Sequence, residues 1–568
     1  MCVGFTGYIH RSPQMSEVVA RPFFSIRTLR DFRRPRLSLH PLLFSLIAAL
    51  WLSVSVNLPF LQQLQQKIPG QVSLQLSVLA LLFLLNWLLL LLFSFKVSQK
   101  PVLLLLCLLG AVSHYFISRF GIVIDRDMLQ NAVETDVAEA SAMLTSGLLW
   151  SVTLLMALPL LACRWISTPY PKLWRYAGQW LLLTVAVISA MMSLAAVQRA
   201  EFATFFRNFK QVKQYALPLS PLAASISWSK AFAAEQFPTA FLMQGQDATQ
   251  PFAVRTEKPR LVVLVLGETA RAAQFSLNGY PRNTNPQLAR LPVTSFTNVS
   301  SCGTATAHSV PCMFSNMGRE NYQEKTAKNS SNVLDILQYA AIDVSWLDNN
   351  SGCKGVCARV PTQLLFQQQN QPLCQDGQCH DEVLLEALEL ELAKPATGDR
   401  LIVLHQLGSH GPEYFKRSNA SQKKFLPECR DKQLQNCAQP EVVNAYDNSI
   451  VATDALLAAV IQRLALQQDV VPAMLYLSDH GESLGENGVY LHGMPYWMAP
   501  ATQTQVPMIW WMSEQFASAQ QLSGSCLAQQ TATPLSHDNL FHSLLGLFKV
   551  QTRVYQSELD LLQPCTKG

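Results

Sequence analysis

Two unlike parts are predicted: an α-helical membrane domain of five spans, followed by an exported α/β domain around a largely parallel central sheet. Three observations carry that expectation. Only 14% of the 568 residues are charged, against about 25% in an ordinary globular chain. The deficit is concentrated in five stretches without Asp, Glu, Lys or Arg, at 37–66, 68–95, 101–118, 140–163 and 176–198. Beyond residue 199, valine- and leucine-rich runs instead stop at polar clusters and alternate with helical patterns, as buried parallel strands do.

Residues 1–36 read as a basic cytoplasmic leader containing seven arginines. From 37 to 198 each uncharged stretch has at least 18 residues, and a helix needs about 20 to cross a hydrocarbon core ~30 Å thick. A helix also satisfies its own backbone there. The stretch 101–118 is the shortest and carries His114. With the amino terminus inside, the inner segments hold twelve Lys and Arg, and the outer loops hold only Lys67, Arg119 and Arg126. The positive-inside rule then places everything after about residue 199 outside the cytoplasm. No charged residue lies within a span, so no ion pathway of a transporter is visible. The net charge of +5 is small for this length and gives no support to nucleic acid binding.

Residues 199–257 form a connector. Phe202, Phe205, Phe206 and Phe209 alternate with Arg207, Lys210 and Lys213, a pattern that suits either a membrane interface or an ordinary helix packed on its domain. Pro218, Pro221 and Pro238 are expected to interrupt any long helix.

The domain at 258–568 opens with the run Leu261–Leu266, which stops at Gly267-Glu268-Thr269. The pattern recurs at Asp343–Leu347 before Asp348-Asn349-Asn350, at Leu401–Leu404 before His405 and His410, and at Met474–Leu477 before Ser478-Asp479-His480. Helical patterns near 332–341, 381–393 and 445–466 separate these strands. Ligand sites in such sheets lie off the carboxyl ends of the strands. Glu268, His405, His410, Asp479, His480 and His492 are therefore expected to converge. Carboxylate oxygen with imidazole nitrogen suits zinc, and manganese accepts it too.

The segment from Cys302 to Cys312 adds three hydroxyls, Thr304, Thr306 and Ser309, within a loop that one disulfide would close. A nearby cation stabilises an alkoxide and makes such a hydroxyl a nucleophile for phosphorus. Ten of the 13 cysteines lie beyond residue 199, an even number that reads as disulfides formed in an oxidising compartment. Sequence neighbours would pair as Cys302 with Cys312, Cys353 with Cys357, Cys374 with Cys379, Cys429 with Cys437, and Cys526 with Cys565. The connectivity stays open. A zinc site at Cys353 and Cys357 is the rival reading, without the CxxC repeat or histidine pair that usually accompanies one.

The segments Gly267-Glu268-Thr269-Ala270-Arg271, Asn278-Gly279-Tyr280, Cys302 to Cys312, Asp348-Asn349-Asn350, His405 to Pro412 and Ser478 to Gly493 resemble the phosphoethanolamine transferases of Gram-negative inner membranes. The likeness is closest to the lipid A enzymes associated with polymyxin resistance and runs from about residue 37 onward. It implies a periplasmic catalytic domain of alkaline phosphatase and sulfatase type, anchored in the bacterial inner membrane and working as a monomer. Thr306 matches the family nucleophile, and Glu268, Asp479 and His480 match the residues that hold one tightly bound zinc ion against it, with room for a second.

The resemblance also places Asn350, Lys354, His405, His410 and His492 around the phosphoryl group or a second metal. Asn131, Thr135 and Glu139 match residues linked to the lipid headgroup. Their spacing of four sets them on one helical face, with Glu139 available to the ethanolamine ammonium. The implied reaction moves phosphoethanolamine from phosphatidylethanolamine to a phosphate of lipid A through a phosphoethanolamine-threonine intermediate. The added positive charge lowers the attraction of cationic peptides to the surface. His308 departs from many relatives. The alternatives are a core sugar or another glycan as acceptor, or a phosphoglycerol transferase on the same fold. A sulfatase is disfavoured, because Met313 stands where its formylglycine pattern, begun by Ser309-Val310-Pro311, requires arginine.

Overall fold

In hydrocarbon an uncharged leucine-rich run can hydrogen-bond only to itself, so each such run coils. The computed structural model describes residues 37–134, 140–141, 143–235, 240–251, 258–367, 372–375 and 377–566. The leader and Pro238 lie outside the described residues. The first helices are α1 (Pro41–Ser55), α2 (Leu58–Lys67), α3 (Val72–Leu92), α4 (Gln99–Phe120), α5 (Arg126–Glu134), α6 (Ser146–Trp165) and α7 (Leu173–Val197). Four of these, α3, α4, α6 and α7, are long and apolar enough to cross a bilayer. The first expected span is instead broken, with α1 and α2 meeting the same test only as a pair bent by 59°.

The break has a local cause. Pro59 begins α2 and donates no backbone hydrogen bond. Asn57, between the two helices, gives its Nδ2 to the carbonyls of Leu52 (2.9 Å) and Leu217 (2.8 Å) and accepts from Leu217 N at 2.9 Å. The His114 Nδ1 lies 3.0 Å from the Val56 carbonyl oxygen, at the same bend. That histidine therefore partners a carbonyl that the broken helix leaves over.

The connector folds as α8 (Arg199–Asn208) and α9 (Leu219–Glu235), joined by a 3-10 turn. Phe202 and Phe205 are buried with Val56, Phe60 and Leu64 of the membrane domain, and Phe206 stays exposed. Pro218 precedes α9 as expected. Pro221 does not interrupt the helix: it sits in the first turn, where a missing N–H costs no intrahelical bond.

The domain beyond residue 258 carries an eight-stranded sheet. Its strands are β1 (Arg260–Gly267), β2 (Thr294–Ser300), β3 (Asp343–Asp348), β4 (Thr362–Leu364), β5 (Arg400–His405), β6 (Val471–Ser478), β7 (Gln505–Met512) and β8 (Leu535–Ser536), in the order β8-β2-β7-β6-β1-β5-β3-β4. The four strands expected from the apolar runs are β1, β3, β5 and β6, all parallel and adjacent. Their register pairs Gly267 with Ser478, Leu266 with His405 and Asp348 with His405, so the carboxyl ends lie level. β7 runs antiparallel to both β6 and β2, which makes the sheet mixed but mostly parallel. Pro507 masks β7 in the sequence. It sits at the register shift between Val506 and Met508, where a strand tolerates a missing donor.

Helices α10 (Thr306–Met313) and α11 (Val333–Tyr339) cover one face of the sheet, and α12 (Val383–Leu392) and α13 (Gln439–Ala465) cover the other. The second core also takes in Tyr115, Phe120 and Ile122 from the end of α4, so hydrophobic packing continues from the spans into the exported domain. Gly121 closes α4 with φ +70°, and a Cβ there would lie 3.0 Å from the Gly488 carbonyl oxygen. That close approach seats the loop after β6 against the outer end of α4.

Candidate functional site

Glu268 follows β1, and Asp479 and His480 follow β6, the neighbouring strand. All three are fully buried, and one ligand atom from each lies within 4.8 Å of the others. The His480 Nε2 is 3.4 Å from Glu268 Oε1 and 3.5 Å from Asp479 Oδ2. Its Nδ1 lies 2.8 Å from the Gly481 carbonyl oxygen, which takes the ring proton and leaves the Nε2 lone pair facing the carboxylates.

Thr306 is the first residue of α10. Its Oγ1 donates to Glu268 Oε2 at 3.0 Å and lies 3.3 Å from His480 Nε2. The other two hydroxyls of the loop go to backbone, Thr304 to the Met494 carbonyl (2.6 Å) and Ser309 to the Asp479 carbonyl (2.5 Å).

The donor set fits a cation. Asp479 Oδ1 accepts from Thr269 N and His480 N, yet Asp479 Oδ2 is buried without a hydrogen-bond donor. Burial and the neighbouring Glu268 carboxylate push the Asp479 carboxyl well above its ordinary range. Burial acts on Glu268 as well, but the imidazoles of His480 and His410 and the Thr269 hydroxyl outweigh it and hold that group below the carboxylate range. Two buried carboxylates and an imidazole lone pair around one point are costly unless a metal occupies it.

Asn350 joins the cluster, its Nδ2 donating to Glu268 Oε2 and to the Gln406 carbonyl, both at 2.8 Å. His405 is buried at the end of β5, with Nδ1 2.9 Å from Asp348 Oδ2. Its Nε2 has no hydrogen-bond partner among the described residues. His410 and His492 meet edge-on with ring centroids 5.4 Å apart, and the His492 ring stands 4.5 Å from the His480 ring. Lys354 points elsewhere: its Nζ donates to the Glu134 carbonyl of α5 (3.1 Å) and to Ser351 Oγ (2.9 Å). Asn131 on α5 lines a cavity of about 240 Å³ together with Gly411, Leu491 and His492. Thr135 and Glu139 lie outside the described residues. His308 packs edge-on against Tyr322 at 4.9 Å.

Several residues escaped the sequence reading. Asp348 accepts from His405 and from Trp346 Nε1, fixing the histidine. Glu482 is buried with Oε2 3.2 Å from His492 Nδ1, and desolvation raises its carboxyl well above the usual range. Tyr446 donates to the Thr269 carbonyl and accepts from Arg271 N, holding the turn after β1. Glu482 sits inside the run at 478–482 and was in view; Tyr446 carries no local signal.

His537 also escaped. Its Nδ1 accepts from Cys302 N at 3.0 Å, and its Nε2 lies 2.9 Å from the Ser478 carbonyl oxygen. Burial, only partly opposed by that carbonyl, pushes the imidazole down to about 3. The unfolded chain takes up this proton near pH 6.5, so the contribution of His537 is complete above that pH and is lost as pH falls toward 3. The loss approaches about 1.4 kcal/mol per pH unit. Denaturant unfolding of the full-length protein between pH 6.5 and 4 should show a flatter acid limb in His537→Gln; equal slopes would remove this assignment.

The ten exported cysteines form five bonds, Cys302–Cys312, Cys353–Cys357, Cys374–Cys379, Cys429–Cys437 and Cys526–Cys565. Cys353 and Cys357, being bonded to each other, are not a metal site. The first bond closes the loop that carries Thr306.

Residues 260–550 match the sulfatase family model, and residues 80–232 match the model for phosphoethanolamine transferase EptA/EptB. Over 549 residues the chain is 41% identical to the phosphoethanolamine transferase EptA of Escherichia coli (strain K12), covering 95% of this chain and 99% of that one. It is 39% identical over 531 residues to the phosphatidylethanolamine transferase Mcr-1 of Escherichia coli, covering 91% and 96%. The solved structure of the integral membrane protein lipooligosaccharide phosphoethanolamine transferase A (EptA) from Neisseria meningitidis aligns with a TM-score of 0.89 at 33% identity. That alignment covers 94% of this chain and all of the other.

Proposed function

The chain belongs to the phosphoethanolamine transferase family, and from that premise we propose that it moves phosphoethanolamine from phosphatidylethanolamine to a phosphate of lipid A at the periplasmic face of the bacterial inner membrane. The observation that carries the reading is the aim of a single hydroxyl. Of the three in the loop, Thr306 alone faces the Glu268–Asp479–His480 cluster. A zinc ion held by those three residues and Thr306 would stabilise the threonine alkoxide and offset charge on the phosphoryl oxygens.

The residues then act in order. Asn350 anchors Glu268, whose Oε2 accepts the hydroxyl hydrogen and keeps Thr306 Oγ1 turned inward. Oγ1 attacks the donor phosphorus; the Oγ–P bond forms as the bond to the diacylglycerol oxygen breaks, and that oxygen leaves protonated. A phosphate oxygen of the acceptor next attacks the same phosphorus, the Oγ–P bond breaks, and Thr306 regains a proton. Packing of α4 and α5 against the exported domain supports this reading, because it keeps the site within reach of substrates that stay in the membrane.

Mass spectrometry of lipid A from an expressing strain tests the proposal. The expected product carries an added phosphoethanolamine on a lipid A phosphate, with lowered susceptibility to polymyxin. Modification of core sugar alone, or an added glycerol phosphate, would replace this acceptor or this donor.

A further inference from the structure

A second cavity, of about 490 Å³, is lined by Arg126 at the start of α5 and is not used by the mechanism above. Its size falls within the ~300–1,000 Å³ of ligand sites. One wall is apolar, formed by Phe60 of α2 and by Val78, Leu81, Leu82 and Leu85 of α3. The α3 residues follow the i, i+3, i+4, i+7 spacing of one helical face. With the amino terminus inside, α3 starts at the outer surface and runs inward, so Leu85 lies about 20 Å deeper than Val72. The wall therefore extends into the outer leaflet.

The cavity also carries both signs of charge. Asp125, just before α5, and Lys213, between α8 and α9, both line it. Asp125 accepts from Met128 N at 2.9 Å and has no cationic partner among the described residues. The neighbouring Arg126 pairs with Glu324 instead. Lys213 is exposed and makes no ion pair among the described residues. Burial lifts the Asp125 carboxyl to about 6, and an approaching ammonium would return it to the charged form.

We propose that this cavity is a holding site for phosphatidylethanolamine, separate from the position at Thr306. The acyl chain lies along α3, the phosphate meets Lys213 and the ammonium meets Asp125. A phosphatidylglycerol would leave Asp125 unmatched, and a diacylglycerol would leave both charges unmatched. Helix α5 borders both cavities, through Arg126 here and Asn131 at the cavity beside His492. Trp228 Nε1 of α9 donates to Gln130 Oε1 at 2.8 Å and fixes that helix. The identity of the lipid as donor rests on the function proposed above; the site itself does not.

The test uses full-length Thr306→Ala protein in lipid nanodiscs, so that no donor is consumed. Phosphatidylethanolamine carrying a diazirine near the end of one acyl chain is irradiated, and the labelled peptides are mapped. Labels are expected on Leu81–Leu85 and on Ala223–Ala224, with unlabelled phosphatidylethanolamine competing about tenfold better than phosphatidylglycerol, the worth of one charged contact, and better by a larger factor than diacylglycerol, which lacks both. Leu82→Trp, which fills the cavity, should cut this labelling by about tenfold, and Lys213→Glu should weaken competition by a similar factor. Lys213 is exposed, so the second variant should melt like its parent and separates lost binding from lost folding.

Labels confined to the cavity at His492, unchanged labelling in both variants, or phosphatidylglycerol competing equally would each overturn the site. Wild-type protein that shows the expected labels yet transfers no phosphoethanolamine keeps the site and removes the function reading.

Discussion

Thr306→Ala abolishes transfer and leaves the fold standing. The change deletes the one hydroxyl aimed at the carboxylate cluster, and loss of a nucleophile in enzymes of this kind costs at least about 10⁴-fold in turnover. Its structural cost is small. Glu268 Oε2 keeps its hydrogen bond from Asn350 Nδ2, so no carboxylate oxygen is orphaned, and alanine suits the first turn of α10. Thr306→Ser retains Oγ and should keep measurable activity. Mass spectrometry of lipid A from cells carrying each variant reads the outcome, with melting temperature as the check on folding. Full modification in Thr306→Ala would sink the nucleophile assignment and with it the two-step mechanism.

Asp479→Asn should be nearly as damaging to activity, about 10²- to 10³-fold or more, and should change stability in an opposite way with and without metal. Without metal, Asp479 is a carboxyl whose folded pKa is raised by burial and by Glu268. Such a group favours folding below its ordinary pKa, and the benefit is lost as pH rises through the folded value. The metal-free Asn variant therefore melts higher than the metal-free wild type at neutral pH.

Zinc reverses the ranking by binding the folded wild type. At a thousand times its dissociation constant it adds about 4 kcal/mol, and the gain grows with pH because metal and proton compete for the same carboxylates. Thermal melts of both proteins, with chelator and with added zinc at two pH values, decide it. A zinc-induced rise in melting temperature as large in Asp479→Asn as in wild type would remove Asp479 from the ligand set.

The convergence of Glu268, Asp479 and His480 was legible because each member ends or follows an apolar run. Glu268 terminates Leu261–Leu266, and Asp479 with His480 terminates Met474–Leu477; a parallel sheet puts such ends together whatever the strand order. The choice among Thr304, Thr306 and Ser309 was not legible from residue chemistry, since three similar hydroxyls share one loop. Family resemblance singled out Thr306, and the structure shows the physical difference: the carbonyls of Met494 and Asp479 occupy the other two. Asp348 and Tyr446 stayed hidden because their partners, His405 and the turn at Thr269, lie 57 and 177 residues away in sequence.

The sequence by itself determined which segments are long and apolar enough to enter lipid, four of them as single helices, because the transfer of charge into hydrocarbon is costly enough to be written into composition. It also determined the four central strands, where mostly apolar runs stop at polar clusters. Pro59 marks the bend in the first span locally, but tertiary structure supplied the contact that holds it, from Asn57 to Leu217, 160 residues away. Tertiary structure alone aimed one hydroxyl of three at the carboxylates and enclosed the two cavities. These depend on contacts between distant segments, and local pattern carries no record of which backbone group a side chain will meet once the chain has packed.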